Sequence, residues 1–271
     1  MFDARTPTLP PATHTNSYAL GHTEVLLVEP ATPYDDERRA WIEWVRAMPS
    51  RGATPAAILI THHHEDHVGG AAFLSRELEL PLWAHEETRA RVSGLSRPRS
   101  DREDVRITRI VREGEVLLDS WRVLHTPGHA PGHVCLHDEA TNALICGDMV
   151  ASVGTILIAP GDGDMRVYLE QLRRLEALGA RIALPAHGEP IVAPEEVFRR
   201  YITHRLMREE RVVAALRPAP RPLAEILPDA YADTPKYLWP IAALSLQAHL
   251  DKLVAEGRVT SSGENVYRLA T

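Results

Sequence analysis

Ala56-Ala57-Ile58-Leu59-Ile60 runs directly into Thr61-His62-His63-His64-Glu65-Asp66-His67-Val68-Gly69-Gly70. The first five residues are apolar and two are β-branched, which reads as a short buried strand. Gly69-Gly70 and the following Ala71-Ala72-Phe73-Leu74 read as a turn entering a helix. Four histidines and an aspartate therefore fall within residues 62–67, at the C-terminal end of a strand. Such ends are where α/β proteins place their sites. Neutral imidazole and carboxylate are the donor set for zinc or iron, and donors this dense point to more than one ion. A histidine run can also be a tag or a solvated loop. Tags sit at termini, whereas this run is internal, abuts a strand and has the order H-x-H-x-D-H.

The chain around it has 271 residues, enough for one large α/β domain with a small appendage. A 44% apolar and 25% charged composition is that of a soluble globular protein. The formal net charge of −7 gives no broad basic footprint for nucleic acid. There is no apolar run of membrane-spanning length. Residues 1–15 are rich in Pro and Thr and lack an apolar signal core, so a cytoplasmic protein is expected. Cys135 and Cys146 lie on adjacent expected strands around the turn 138–142 and read as buried thiols packing a hairpin.

Coarse patterning gives strands at 18–20, 25–28, 81–84, 116–118, 121–124, 134–136, 143–146 and 181–184. Helices are expected at 35–48 and 166–178, where Tyr168, Leu169, Leu172, Leu175 and Leu178 share a face. Residues 97–109 read as a charged loop or flap. Paired strands followed by alternation with helices give two sheets enclosed by helices. After Pro194 the composition changes. A long charged helix (198–216), a short helix (223–227), a third helix (241–256) and a hairpin turning at Ser262-Gly263 follow in the order of a winged helix. Two domains are expected, a catalytic one over 1–193 and a winged-helix-like one over 194–271.

Three further segments put a ligand-type residue just past an apolar strand. His125-Thr-Pro-Gly-His129-Ala-Pro-Gly-His133 is a tight loop that its Pro-Gly pairs force inward. Asp148 follows Leu144-Ile-Cys-Gly147, and His187 follows Leu184-Pro-Ala. Each is weak alone. Together with the first motif they make several strand ends converge on one site.

These motifs resemble the metallo-β-lactamase superfamily, in His62-x-His64-x-Asp66-His67, Thr126-Pro-Gly-His129, Gly147-Asp148 and Ala186-His187-Gly188, over roughly residues 15–193. The resemblance implies an α/β fold, a four-layer αββα sandwich, with the metal site at one edge of the sheets. It implies that His62, His64 and His129 hold a first metal, that Asp66, His67 and His187 hold a second, and that Asp148 bridges both. True β-lactamases of the superfamily lack the bridging aspartate. Persulfide dioxygenases lack ligands matching Asp66 and His187. Glyoxalase II matches all seven ligands but has a different helical C-terminal region. The closest resemblance is to the β-lactamase-like protein 2 group, whose winged-helix tail opens with a motif like His204-Arg205-Leu-Met-Arg208-Glu209-Glu210 and continues like Ser245-Leu-Gln-Ala-His249-Leu-Asp-Lys252. That group includes single-stranded RNA endonucleases and thioesterases for carrier-bound or CoA-bound acyl groups. One departure stands out. The family's aspartate and glycine near Val28 are Glu29-Pro30-Ala31 here.

Two divalent cations, most simply Zn2+ with Mn2+ or Fe2+ as alternatives, would share a water and lower its pKa to about 7. The reading is thus a dinuclear zinc hydrolase using a metal-bridging hydroxide on a thioester or ester. Asp66 is a ligand that also orients the water. His63 and Glu65 point away from the metals. His133 either donates to a ligand carboxylate or to the substrate, or is a hydrogen-bonded structural histidine. Two alternatives stay open: a metal-dependent endoribonuclease on single-stranded RNA, and a nucleic-acid-binding regulator with a metal-sensing domain. From Glu195 onward there are 11 Arg and Lys against 10 Asp and Glu, so the tail reads as a lid or a homodimer interface and not as a DNA grip.

Overall fold

The computed structural model describes residues 1–94, 105–118, 120–216, 219–263 and 265–270, and divides into two compact units. The first comprises Met1–Thr126, Pro131–Thr155 and Ala180–Pro194. The second comprises Pro127–Ala130, Ile156–Gly179 and Glu195–Thr271.

The first unit is built on two sheets. A six-stranded mixed sheet runs in spatial order β1 (Phe2–Arg5), β2 (His14–Gly21), β3 (Glu24–Val28), β4 (Thr54–Leu59), β5 (Leu82–Ala84) and β6 (Ile107–Ile110). A five-stranded sheet contains β7 (Val116–Leu117), β8 (Trp121–His125), β9 (Val134–Asp138), β10 (Ala143–Gly147) and β11 (Ile182–Pro185), in the order β11-β10-β9-β8-β7. Strands β3 and β4 read as continuous apolar runs because both of their faces are covered. Val25, Leu27, Ile58 and Ile60 point to one face and pack on Trp41, Ile42 and Val45 of helix α1 (Asp35–Arg46) and on Leu74. Leu26, Val28, Ala57 and Leu59 point to the other face and meet Val123, Leu136 and Ile145 of the second sheet. Each fully buried side chain of this size contributes about 1.5–3 kcal/mol.

The helix α2 (Glu65–Val68) carries part of the histidine motif, and α3 (Ala71–Leu78) and α4 (Glu86–Gly94) follow. Cys135 and Cys146 are buried free thiols on β9 and β10. Burial, first of all, pushes the Cys146 thiol well above the ordinary range. Two edges depart from the sequence reading. Phe2–Arg5 is a strand, pairing antiparallel with β2. The expected loop 97–109 ends in β6, parallel to β5, while 97–104 lies outside the described residues. Its arginines hid the pattern: the Arg109 guanidinium lies 4.1 Å over the ring of Trp83 on the neighbouring β5.

The second unit holds α5 (Met165–Ala177), α6 (Pro194–Ala215), α7 (Leu223–Ala230) and α8 (Trp239–Ala255) with a three-stranded sheet of β12 (Arg221–Pro222), β14 (Val266–Leu269) and β13 (Val259–Ser261). Asp164 caps α5, its carboxylate accepting from the Arg166 and Val167 amides at 2.8 and 3.0 Å. Val212, Leu216, Ile226, Leu246, Leu250, Leu253 and Tyr267 form the core of the tail. Glu209 is buried and is paired by Lys252 and Arg258, both at 2.6 Å.

His249 lies in α8 with no exposed surface, and neither ring nitrogen makes a hydrogen bond among the described residues. Burial, reinforced by Arg205 and Lys252, pushes its pKa from 6.5 down to about 3. The sign is that of a histidine buried neutral. The unfolded chain takes up a proton below about 6.5 that the folded one refuses until about 3, so stability falls as pH drops through that window. The slope reaches about 1.4 kcal/mol per pH unit. In urea titrations at pH 7 and pH 5, the wild type is expected to lose more stability than His249→Leu. Equal losses in the two proteins would show that His249 does not carry the effect.

Candidate metal centre

Strand β4 ends at Leu59, and the chain delivers Thr61, His62 and His64 from its C-terminal end before α2 presents Asp66 and His67. Strand β10 delivers Asp148 and β11 delivers His187 at the same kind of position. Strands β10 and β11 are parallel, so their C-terminal ends lie side by side.

The donor atoms of Asp66, His67 and His187 lie within 4.8 Å of one another, as do those of Glu29, His62 and His67. The Asp148 carboxylate faces two rings at once, Oδ1 at 3.4 Å from His187 Nε2 and Oδ2 at 3.6 Å from His67 Nε2. Asp66 faces the same two rings, with Oδ2 at 3.5 Å from His187 Nε2 and Oδ1 at 3.7 Å from His67 Nε2. His62 Nε2 and His64 Nδ1 stand 3.0 Å apart. Two nitrogens on one tetrahedral zinc, with bonds of about 2.0–2.1 Å, would stand about 3.3–3.4 Å apart. Neither His67 nitrogen makes a well-aligned hydrogen bond among the described residues, although the ring is fully buried. Buried imidazoles whose nitrogens converge with carboxylates in this way are what a cation requires.

The charge balance says the same. Burial disfavours the charged form of His67, yet Glu29, Asp148 and Asp66 outweigh it and hold the ring well above its ordinary pKa. Burial also opposes protonation of His187, and Asp148 overcomes it. Burial should raise Asp148, but His187 and then His67 hold it well below the usual carboxylate range. The pocket is built to retain positive charge.

Ring orientation is set from behind. His187 Nδ1 donates to the His14 carbonyl at 2.9 Å, which makes Nε2 the lone-pair nitrogen of the neutral ring. His62 Nδ1 lies 3.0 Å from Thr61 Oγ1, and the Thr61 hydroxyl donates to Glu29 Oε1. That same oxygen stands 3.3 Å from His67 Nδ1. Glu29 therefore orients two histidines, one directly and one through Thr61. It is 1% exposed, has φ of +63° and leaves Oε2 without a hydrogen bond among the described residues. The sequence flagged this position as a departure from the family but gave it no task. Glu29→Ala is expected to weaken metal affinity about 10- to 100-fold, the usual cost of removing a carboxylate behind a ligand histidine. Competition titration against a chromophoric chelator checks this, and unchanged affinity would assign Glu29 no such role.

His133 is fully buried. Its Nε2 accepts from the Asp148 amide at 3.0 Å, which places the proton on Nδ1, 2.8 Å from Thr126 Oγ1. It thus holds the main chain of Asp148. Gly147, at φ +48°, makes room for it: a Cβ there would stand 2.5 Å from His133 Nε2. His63 is half-buried and Glu65 exposed. His129 lies in the second unit, 5% exposed, its Nδ1 bonded to the Leu157 carbonyl at 2.9 Å. That bond also leaves Nε2 as the lone-pair nitrogen of the neutral ring.

The description of the Metallo-beta-lactamase superfamily matches residues 10–187. The chain belongs to that superfamily. A Beta-lactamase associated winged helix domain matches residues 223–268. The fold class expected from the sequence, α/β with a metallo-β-lactamase fold and a C-terminal winged helix, therefore stands, and the chain is a hydrolase of this superfamily. A beta-lactamase-like protein 2 homolog of Drosophila melanogaster is 28% identical over 263 residues, 92% of this chain and 85% of that protein. An atrochrysone carboxyl ACP thioesterase of Aspergillus chevalieri is 30% identical over 205 residues, covering 75% of this chain and 60% of that protein. A solved metallo-beta-lactamase family protein of Thermus thermophilus is similar at a TM-score of 0.76 and 26% identity, over 98% of this chain and 97% of that one. No helix among the described residues is long and apolar enough to cross a membrane.

Proposed function

We propose that this superfamily member is a dinuclear zinc hydrolase acting on a thioester or ester of an acyl group. His62, His64 and His129 would hold one ion, Asp66, His67 and His187 the other, and Asp148 would serve both. The observation that carries the dinuclear reading is that the donors fall into two sets: Asp66, His67 and His187 lie within 4.8 Å of one another, and His62 Nε2 stands 3.0 Å from His64 Nδ1, with the Asp148 carboxylate beside the first set. Bound there, two divalent cations supply a nucleophile from water at neutral pH and a Lewis acid for the scissile carbonyl.

The chain's own groups do the rest. Asp148 stays ionised because His187 and His67 face it. Asp66 is the more exposed of the two ligand carboxylates, at 17% against 9% for Asp148. Its carboxylate is thus placed to accept a hydrogen bond from the attacking water and to orient it. Glu29 and Thr61 keep the rings of His62 and His67 from rotating.

The acyl thioester class is supported by the named activity of the Aspergillus relative, a thioesterase for an acyl carrier protein. The superfamily match over residues 10–187 and the thioesterase named among the relatives favour an enzyme over a metal-sensing regulator. The test is one purified, zinc-loaded sample assayed against acyl-CoA, S-acylglutathione and single-stranded RNA. Thioester hydrolysis that a chelator abolishes is expected. Cleavage of RNA with no turnover of either thioester would overturn the substrate reading in favour of a nuclease.

A further inference from the structure

The motif His204-Arg205-Leu-Met-Arg208-Glu209 opens the tail, and the proposed chemistry leaves it without a task. Arg208 and Glu209 have structural partners within the tail. Arg208 donates to the Ala230 carbonyl at 2.6 Å and pairs with Asp233, while Glu209 takes Lys252 and Arg258. Arg205 is different. It lies on α6, is 4% exposed, and its guanidinium reaches back 49 residues to donate to the carbonyl of Ile156. It also lies 5.6 Å over the ring of Tyr168, which has no exposed surface.

Both contacts bear on His129. Leu157, the residue after Ile156, supplies the carbonyl that accepts from His129 Nδ1 at 2.9 Å. Residues 156–159 form neither helix nor strand, so no ladder fixes their carbonyls. Tyr168 is the floor under the preceding residue. Gly128 has φ of +126°, and a Cβ on it would stand 2.4 Å from Tyr168 Cα. The Gly128 carbonyl in turn accepts from the Asp164 amide at 2.9 Å, just before α5. All of these residues belong to one compact unit, the one that contains the tail. The segment that carries His129 is thus fixed by α5 and by the 156–158 backbone, and Arg205 clamps both.

We infer that Arg205 is a positioning residue for His129, through which the winged-helix tail sets the affinity of one metal ion. The inference rests on the reading of His129 as a ligand. A hydrogen bond near 2.9 Å is lost when its carbonyl drifts by about 1 Å, and an unanchored ring then samples rotations that do not bind. Lysine cannot restore the arrangement in full, because it lacks the planar fork that donates to a carbonyl while stacking on an aromatic face.

The test uses the full-length chain, zinc competition titrations and the visible absorption of the cobalt-substituted protein. Arg205→Gln is expected to weaken one of two ions about 10- to 100-fold, the cost of losing support behind a ligand, and to leave the other unchanged. Arg205→Lys should fall between it and the wild type. The cobalt spectrum of the weakened site should change in the same way as in His129→Ala. Arg205→Lys decides the question if Arg205→Gln fails to fold. Wild-type affinity for both ions in a folded Arg205 variant, or equal weakening of both, overturns the inference while leaving the metal centre intact. A wild-type chain that takes up fewer than two ions, or a His129→Ala variant that loses none, overturns the ligand reading itself and the inference with it.

Discussion

Replacing Asp148 by alanine is expected to lower kcat by about 10³-fold or more while leaving the fold in place. The carboxylate's two oxygens address His67 and His187, at 3.6 and 3.4 Å, from a buried strand end. Its loss removes several kcal/mol of charge stabilisation from a centre that depends on two cations, and about 4 kcal/mol is already a thousandfold. The backbone of this turn is secured independently of the side chain, by the bond from the Asp148 amide to His133 and by the Met149 amide on the Cys146 carbonyl at 3.0 Å. Asp148→Asn keeps the shape and removes the charge, so it should lose nearly as much. Circular dichroism and metal analysis accompany the rate measurement. Turnover within about tenfold of wild type, with two ions still bound, would show that Asp148 does not join two metals.

The parts of this site that can be read from the sequence share a simple form. His62, His64, Asp66 and His67 follow Ile58-Leu-Ile, Asp148 follows Leu144-Ile-Cys-Gly147, and His187 follows Leu184-Pro-Ala. A polar residue directly after an apolar run is a strand-end residue, and that local pattern needs no knowledge of which strands are neighbours. Glu29 also ends such a run, but its task depends on the register of two strands far apart in sequence. Val28 pairs with Leu59 in the parallel β3–β4 ladder, and this brings Glu29 beside Thr61 and His67. No spacing in the sequence encodes that register. The departure from the family's aspartate is the available signal. For His133, spacing cannot say which of its nitrogens meets what, so the sequence leaves two roles open. The bond from the Asp148 amide to Nε2 is a tertiary fact. The helix expected at 166–178 falls within the 1–193 expected for the catalytic domain. Its grouping with the tail comes from the packing around Tyr168 and Arg205, one buried ring and one buried cation that sequence periodicity does not distinguish from ordinary core and surface. Strands β1 and β6 are four residues each and carry charged side chains, so edge strands escape a search for apolar alternation.

Removing the metal should abolish activity and destabilise the chain by an amount that grows as pH rises. Protein prepared without chelator is expected to carry about two ions per chain, one for each ligand set. Ions that bind the folded state alone stabilise it by mass action, about 2.7 kcal/mol for each ion at a hundred times its dissociation constant. In the metal-free chain, protons stand in for the cations. His67 and His187 have folded pKa values raised above the ordinary 6.5, against burial, by Glu29, Asp148 and Asp66 around the first and by Asp148 beside the second. The stability they contribute is therefore complete below about 6.5 and is lost as pH climbs through their raised values. Asp148 works in the opposite direction, since its folded pKa is depressed below 3.8. Its contribution holds above that value and fails only in stronger acid, outside the range in question. From pH 6 to pH 8.5 the metal-free protein should consequently lose stability. The metal-loaded protein gains over the same range, because cations compete with ever fewer protons for the imidazoles. The gap between the two melting temperatures, measured with and without an excess of EDTA removed by desalting, should widen steadily across that interval. A gap that stays constant or narrows would mean that the histidines and carboxylates gathered here do not exchange protons for metal, and a stoichiometry fixed at one ion would refute the dinuclear centre directly.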